Sequence, residues 1–201
     1  MDCDLMYTVK DNLIFGFHGC DESVCNRLVS GEMDLDYSEN PYDWLGKGMY
    51  FWENDPDRAL LWAKDSKQNP QNEKQIITKP AVVGAVICLG KCLDFMEIAN
   101  LKKLRAIYDV LTFQGIMLPE NTGKDFYKRN LDCFLINYLV AQEKEKGNIY
   151  DSVRGVFFEG DRLYENAGFR EKNHIQISVI NPNCIKGYFK VRKTDARFTE
   201  V

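Results

Sequence analysis

Runs of apolar residues alternate with polar segments along the chain, and their length and spacing predict a mixture of strands and helices. Short apolar runs of about five to eight residues are typical of buried strands. Six runs have this character: 13–18, 48–52, 81–88, 153–158, 174–180 and 186–191. Strands therefore occupy both ends of the chain, which favours a mixed arrangement over a regular alternation of strand and helix.

Four segments carry helical signals. Asp21-Glu22-Ser23 opens a short helix that Gly31 closes, and Asp55-Pro56 starts a second, with a capping carboxylate followed by proline at the first helical position. Residues 94–113 and 124–146 have helical spacing. No repeat or Pro/Ser-rich linker divides the chain. We therefore predict one α+β domain over residues 1–201.

The composition is that of an ordinary globular protein. Of the 201 residues, 45% are hydrophobic and 28% are charged, and no stretch of 18 apolar residues could cross a membrane. The first twelve residues are acidic and polar, unlike a secretory signal, so we expect a cytoplasmic protein without a membrane partner. Seven cysteines at irregular spacing indicate free thiols, with no disulfide framework and no zinc site.

The net charge of −4 is unevenly spread. Residues 1–60 hold 13 acidic and 4 basic residues, whereas the rest hold 17 and 22. The basic C-terminal part could face a polyanion, and the acidic first part a basic protein surface. The segment 186–193, with Arg197, interleaves cations with aromatic residues. This pattern fits either contact with a phosphate backbone or the guarding of an edge strand.

Several chemistries are excluded by missing motifs. The chain has no G-x-G-x-x-G after a strand, no G-x-x-x-x-G-K-[ST] and no G-x-S-x-G. With only two histidines, His18 and His174, a histidine-rich metal site is impossible, and we predict no metal.

Two short motifs, in order, are recognisable: Phe17-His18-Gly19-Cys20, and then Leu45-Gly46-Lys47-Gly48-Met49-Tyr50-Phe51. Together with the following Asp57–Trp62 they resemble the NAD-binding core of the ADP-ribosyltransferases, in the branch of diphtheria toxin and the poly(ADP-ribose) polymerases. The resemblance implies two small facing antiparallel sheets with flanking helices, and NAD as co-substrate in the cleft between them. It implies cleavage of the nicotinamide–ribose bond and transfer of ADP-ribose to a macromolecule, either nucleic acid or protein.

The resemblance also assigns the residues that bind NAD. His18 would bind a ribose hydroxyl, Gly19 the carboxamide and Tyr50 the nicotinamide ring, a flat aromatic cation that needs an aromatic face. The complete set is His18, Gly19, Tyr50, Phe51, Arg58 and Trp62. Alone, His18 would be a satisfied core histidine, and Arg58 has two interpretations, a structural salt bridge with the helix face of Asp57 or contact with the pyrophosphate.

The catalytic carboxylate of the family is replaced. Aligning the strand 176–181 with the glutamate-led strand of the family puts Gln176 in the glutamate position. Glutamine can orient the ribose but supplies neither charge nor base. The carboxylate could come from the preceding loop, from Glu159, Glu165 or Glu171, and Glu159 is favoured because it directly follows a strand. The predicted catalytic residues are Gln176, Tyr50 and Glu159.

Several functions remain open on the sequence alone. Without the glutamate we expect transfer of a single ADP-ribose, as in a toxin or phage-defence effector that a neutralising antitoxin protein would bind. A catalytically inactive module that binds NAD or ADP-ribose is the main alternative. An RNA 2′-phosphotransferase would need more histidines, and a plain interaction domain would not respond to NAD. The aromatic residues of the acidic loop 32–43 leave open a lid over the pocket.

Overall fold

The computed structural model describes residues 13–70 and 76–198; the segment 1–12, on which the expectation of a cytoplasmic protein partly rests, lies outside it. The described part contains seven strands and four α-helices. In chain order they are β1 (Leu13–Asp21), α1 (Glu22–Ser30), β2 (Met49–Glu53), α2 (Pro56–Gln68), β3 (Pro80–Cys88), β4 (Cys92–Asp94), α3 (Ile98–Phe113), α4 (Asn130–Glu145), β5 (Ser152–Phe157), β6 (His174–Val179) and β7 (Ile185–Lys190).

Most of the predicted elements are confirmed, with shifted ends. The strand β4 was not predicted, because three residues are too few to show a period, and it delays the start of α3. The predicted helix 124–146 begins only at Asn130, since Asp125 and Phe126 have left-handed backbone angles that end any helix. The expected α+β class is confirmed.

The two predicted helix starts have the capping geometry that their sequences indicate. The Asp21 carboxylate accepts a hydrogen bond from the backbone N–H of Ser23, and Asp55 accepts one from Arg58 at 2.8 Å. Gly31 ends α1 in the left-handed conformation, with φ of 76°. These caps fix where α2 begins, and so where its side chains lie on the sheet.

The strands form a single mixed sheet, ordered β4-β5-β6-β2-β1-β3-β7. We expected two separate facing sheets, but all seven described strands pair in one continuous sheet. All neighbours are antiparallel except β4 and β5. The β1–β2 junction has only two residue pairs, whereas β1 and β3 have nine. Two strand groups, β3 and β7 with β1, and β4 to β6 with β2, therefore meet at a narrow junction.

Helices cover both faces of the sheet. On one face α1 packs onto an apolar core that includes Leu28, Phe51 and Ile87. On the other, α2 packs onto β1 and β3, and α4 covers Val153 beside the loop residue Leu45. Between residues 13 and 70, and between 76 and 198, no helix is long and apolar enough to span a bilayer.

Arg154 holds three strands together through a largely buried ion network. Its guanidinium donates two hydrogen bonds to Glu53, at 2.6 and 2.9 Å, and one to Asp94 at 2.8 Å. Removing it leaves two carboxylates without their counter-ion, so Arg154→Ala should lower the free energy of unfolding by about 2 kcal/mol. Urea unfolding measures this loss.

The matched control is Arg105→Ala, which removes the exposed ion pair to Asp109 within α3. We expect that change to cost less than about 0.5 kcal/mol, since exposed pairs contribute little. Equal losses in the two variants would show that the buried network does not stabilise the sheet.

Candidate functional site

The junction between β1 and β2 opens a gap in the sheet. The ladder between these strands comprises Gly16–Glu53 and Phe17–Trp52, and it stops there. In antiparallel alternation the next hydrogen-bonded pair would join Gly19 to Tyr50. The register between β1 and β2 contains no such pair. The first predicted motif and the second thus meet on the two sides of this gap.

A side chain takes the place of the missing backbone bond. The Nδ1 atom of His18 lies 2.8 Å from the carbonyl oxygen of Tyr50. A carbonyl oxygen only accepts, so Nδ1 carries the ring proton and Nε2 is left as an acceptor. Burial lowers the pKa of His18, which outweighs the opposite effects of the Tyr50 carbonyl and of Asp36. At neutral pH the ring is therefore neutral and offers one acceptor.

The backbone of Gly19 faces the same gap. Asn54 donates to the carbonyl of Phe15 across β1 and β2, whereas Glu22 donates to Lys79 on the β3 side. Because backbone groups alternate along a strand, the N–H and C=O of Gly19 point towards β2, beyond the end of the ladder. They form an adjacent donor and acceptor.

Gly19 is glycine for a packing reason. A Cβ atom there would overlap the carbonyl oxygen of Ala59 in α2 and crowd Ala63. The resemblance assigns Gly19 to the carboxamide of NAD, but the space left by its missing side chain is occupied by the helix. Its contribution to a ligand would come from the backbone alone.

Two aromatic residues lie beside the gap, and a third is buried in the core behind His18. Trp62 reaches from α2 to within 6.3 Å of the His18 ring and 5.9 Å of the Trp52 ring, between centroids. The Tyr50 hydroxyl donates to Gly46 and accepts from the Leu45 N–H, and burial raises its pKa well above the usual value. Tyr50 is thus an anchored neutral ring.

Phe51, in contrast, is 0% exposed in the core under α1. Its side chain points away from the face that carries Tyr50, because successive strand residues alternate between faces. Its ring nevertheless lies 6.1 Å from that of His18, between centroids, so it supports the histidine from the core side without offering an exposed surface of its own.

Gln176 lies on the same face as Trp52. The two residues are register partners in β2 and β6, and Gly155 is the partner of Gln176 on β5. Partners in a ladder project to one face, so Gln176 stands beside Trp52 over a strand position without a side chain. It is partly exposed, and within the described residues its amide has no hydrogen bond.

Arg58 and Glu159 bind each other. The Nη2 atom of Arg58 donates to Glu159 Oε2 at 2.5 Å, and the two side chains are 7% and 17% exposed. The guanidinium carbon also lies 5.3 Å from the centre of the Trp52 ring. The predicted pyrophosphate ligand and the predicted base are thus joined in one buried ion pair. Of the two interpretations given to Arg58, the salt bridge with the helix face of Asp57 is not present among the described residues, and the Glu159 carboxylate is paired with Arg58.

His174, to which the sequence analysis assigned no role, completes this cluster. Its side chain is fully buried, with Nδ1 at 2.6 Å from the Lys172 carbonyl and 3.9 Å from Glu159. Its ring is stacked on Trp44. Strand alternation from Gln176 places His174 on the same face, and this signal was available in the sequence.

Several polar atoms of the cluster are buried without a hydrogen-bond partner in the described part of the chain: Trp52 Nε1, Arg58 Nε and Nη1, and His174 Nε2. Burial lowers the pKa of His174, and the nearby Arg58 charge lowers it further. The Nδ1 atom of His174 donates its proton to a carbonyl, so its Nε2 is a hydrogen-bond acceptor. The unpartnered N–H groups of Trp52 and Arg58 in the same cluster are donors. Groups in this arrangement suit a hydroxyl or water oxygen.

The other candidates lie elsewhere. Glu165 and Glu171 are exposed in the loop before β6.

Burial raises the pKa of Cys20 and of Cys184 to about 12, so these thiols stay protonated at neutral pH and are not nucleophiles. Within the described ranges, no group of three acidic, histidine or cysteine side chains is placed to hold a metal ion.

Comparison with known proteins gives a distant relative. The uncharacterized protein MJ0359 of Methanocaldococcus jannaschii is 25% identical over 203 aligned residues, which cover 90% of each chain. No protein-family model and no solved structure matches. The chain is therefore similar, over most of its length, to an archaeal protein whose name gives no function.

Proposed function

We propose that the chain binds NAD in the gap between β1 and β2, cleaves the nicotinamide–ribose bond and transfers one ADP-ribose to a macromolecule. The observation that carries the proposal is the gap itself, where the backbone N–H and C=O of Gly19 face a position that β2 leaves unpaired. The adjacent residue, His18, holds its Nδ1 at the Tyr50 carbonyl and so keeps Nε2 as an acceptor. A carboxamide has one acceptor and one donor on the same side, so it forms two hydrogen bonds with such a residue, as a strand partner does.

The remaining parts of NAD fit the surroundings of the gap. The nicotinamide ring would stack on Tyr50 or Trp62, and a ribose hydroxyl would donate to His18 Nε2. Gln176 would orient the ribose through its amide. The sequence resemblance to the ADP-ribosyltransferases supports this arrangement. We further propose that the two strand groups that meet at the narrow junction correspond to the two facing sheets of that fold.

The reaction needs a stabilised cation and a base. When the C–N bond breaks, its electron pair leaves with neutral nicotinamide and the ribose carbon gains oxocarbenium character. The acceptor then forms a bond to that carbon, and its proton passes to a base. Gln176 supplies no charge, and Glu159 becomes available only when Arg58 releases it. We therefore propose slow transfer of single units, without chain elongation.

Two observations favour a second candidate, a catalytically silent NAD-binding module. The residue beside Trp52 is Gln176 and not a carboxylate, and Glu159 is neutralised by Arg58. A role as a toxin or phage-defence effector with a neutralising partner rests on the resemblance alone.

The deciding experiment measures nicotinamide release from NAD, and transfer of label from its adenylate half, by the wild type and by Gln176→Glu. A carboxylate at this position stabilises the developing positive charge, so the variant should release nicotinamide about 100-fold faster. Gln176→Leu, which is similar in size and cannot hydrogen-bond, is the control and should be slower than the wild type.

The outcomes separate the two candidates. Label in macromolecules supports transfer, and protease or nuclease digestion identifies the acceptor. An NAD-dependent rise in melting temperature without nicotinamide release supports the silent module. If NAD changes neither the melting temperature nor any product, the proposed NAD site is wrong.

A further inference from the structure

A pocket of ≈ 320 Å³ opens at Glu159, the partner of Arg58 in the buried ion pair. Its lining includes Trp44, Tyr127, Lys128, Arg129 and Glu159. This volume is at the lower end of those that hold small ligands. The proposed NAD site does not include this pocket, so we consider which other ligand its side chains could bind.

The wall of the pocket holds a fixed and exposed aromatic ring. Tyr127 is 45% exposed, and its ring meets Trp44 edge-on at 5.6 Å between centroids. The indole N–H of Trp44 donates to the Tyr127 carbonyl at 2.9 Å, which ties the two residues together. An exposed aromatic face that is already held in place loses little entropy when a flat ligand stacks on it.

Three cations, Lys124, Lys128 and Arg129, line the same pocket as this ring, together with the acids Asp125 and Glu159. Lys128 is exposed and has no ion pair within residues 13–70 and 76–198. Lys124 pairs with Asp161 only at the surface, where an ion pair is easily exchanged. The guanidinium of Arg129 lies 4.5 Å from the centre of the Trp44 ring, and its buried Nε has no hydrogen-bond partner among the described residues.

The segment that carries these residues is held in a costly backbone conformation. Asp125 and Phe126 have φ of 54° and 56°, a region that residues with side chains rarely adopt. Reciprocal backbone hydrogen bonds between Thr122 and Lys128, at 2.9 and 3.0 Å, close the segment around them. Such strain is concentrated where a loop must present groups to a ligand.

We propose that this pocket binds one nucleotide of a single-stranded nucleic acid, with the base stacked on Tyr127 and the phosphate at Lys128 and Lys124. Aromatic faces combined with nearby cations are the usual means of holding single strands. A duplex keeps its bases stacked inside and offers no free base face. This inference rests on the proposed function, since it makes the strand the acceptor of ADP-ribose.

The position of Glu159 in the pocket wall links binding to transfer. The bound nucleotide's N–H or O–H bond breaks, and its heteroatom forms a bond to the ribose carbon as nicotinamide leaves with the electron pair of the C–N bond. The proton passes to the Glu159 carboxylate, once Arg58 has released it. Atoms and charge balance without a further reactant.

The test is fluorescence anisotropy with labelled single-stranded oligonucleotides of about ten nucleotides, DNA and RNA, over a range of salt concentrations. Tyr127→Ala should weaken binding about 10-fold, and Tyr127→Phe should retain it because the ring is kept. Lys128→Ala should weaken binding and lower the slope of log affinity against log salt by about one. Tyr164→Ala, which removes an exposed ring that does not line the pocket, is the control.

The melting temperature with and without NAD is measured in parallel. If NAD stabilises the wild type but no oligonucleotide binds, the nucleotide pocket is wrong and the proposed function stands. If the oligonucleotide binds as expected and NAD has no effect, the pocket stands and the proposed NAD site falls. Label transfer to a protease-sensitive acceptor, without competition from the oligonucleotide, assigns the pocket to a protein and overturns this inference.

Discussion

Replacing His18 with asparagine is expected to lower nicotinamide release by about 100-fold while leaving the fold intact. The asparagine amide can still donate to the Tyr50 carbonyl, as Nδ1 does at 2.8 Å. It has no acceptor at the position of Nε2, so under the proposed function the ribose hydroxyl would lose its partner and the reacting carbon its placement. Steady-state rates and thermal unfolding of the variant check both parts.

His18→Ala is the matched comparison, since it removes both hydrogen bonds. It should lower the melting temperature as well as the rate, because the strands lose the bond that joins them beyond the ladder. If His18→Asn instead retains the wild-type rate, Nε2 does not touch the substrate and the assignment of His18 is wrong.

The rate of nicotinamide release by the wild type is expected to depend on pH through the protonation of His18. Only the neutral ring accepts a hydrogen bond at Nε2, and burial keeps the pKa of His18 below its ordinary value. The contribution of His18 is therefore complete at neutral pH and is lost as the pH falls through this lowered pKa. A loss that begins above pH 7 would point to another group.

Gly19→Ala is expected to reduce the free energy of unfolding by about 3 kcal/mol, the upper end of overpacking effects. The added methyl group meets the carbonyl of Ala59, which belongs to a helix backbone and cannot rotate away. The helix α2 must shift as a body, and it carries Arg58 and Trp62 with it. We expect a loss of NAD binding together with the loss of stability.

Chemical unfolding compared with Gly187→Ala makes this test specific. Gly187 lies in the edge strand β7, and a Cβ there meets nothing within 4 Å. That control should change stability by less than about 0.5 kcal/mol. A Gly19→Ala protein as stable as the wild type would mean that α2 does not pack on β1 as described.

The local features of this structure follow from local patterns. The cap at Asp55, the left-handed glycine after α1 and the apolar runs each depend on a few neighbouring residues, and their positions could be predicted. The alternation along β6 also contained the position of His174, beside Gln176. The alternation could not show whether His174 has a functional role, since a lone histidine is usually a satisfied core residue.

The long-range features could not be predicted in this way. The partner of Arg58 is 101 residues away along the chain, and nothing near either residue indicates the pairing. The end of the β1–β2 ladder depends on how the strands on its two sides pair with their other neighbours, which no local residue pattern encodes. The pocket at Tyr127 depends on a left-handed turn at Asp125 and Phe126, which the helical spacing of 124–146 concealed.

The two-pair junction gives ligand binding a mechanical meaning. Nine residue pairs hold β1 to β3, and four hold β2 to β6, so the seam between the halves is the weakest line through the sheet. A carboxamide bound to the backbone of Gly19 there would supply the hydrogen bonds that the missing backbone pair does not make. The free energy of ligand binding would then also stabilise the association of the two strand groups. Release of the product would remove that stabilisation.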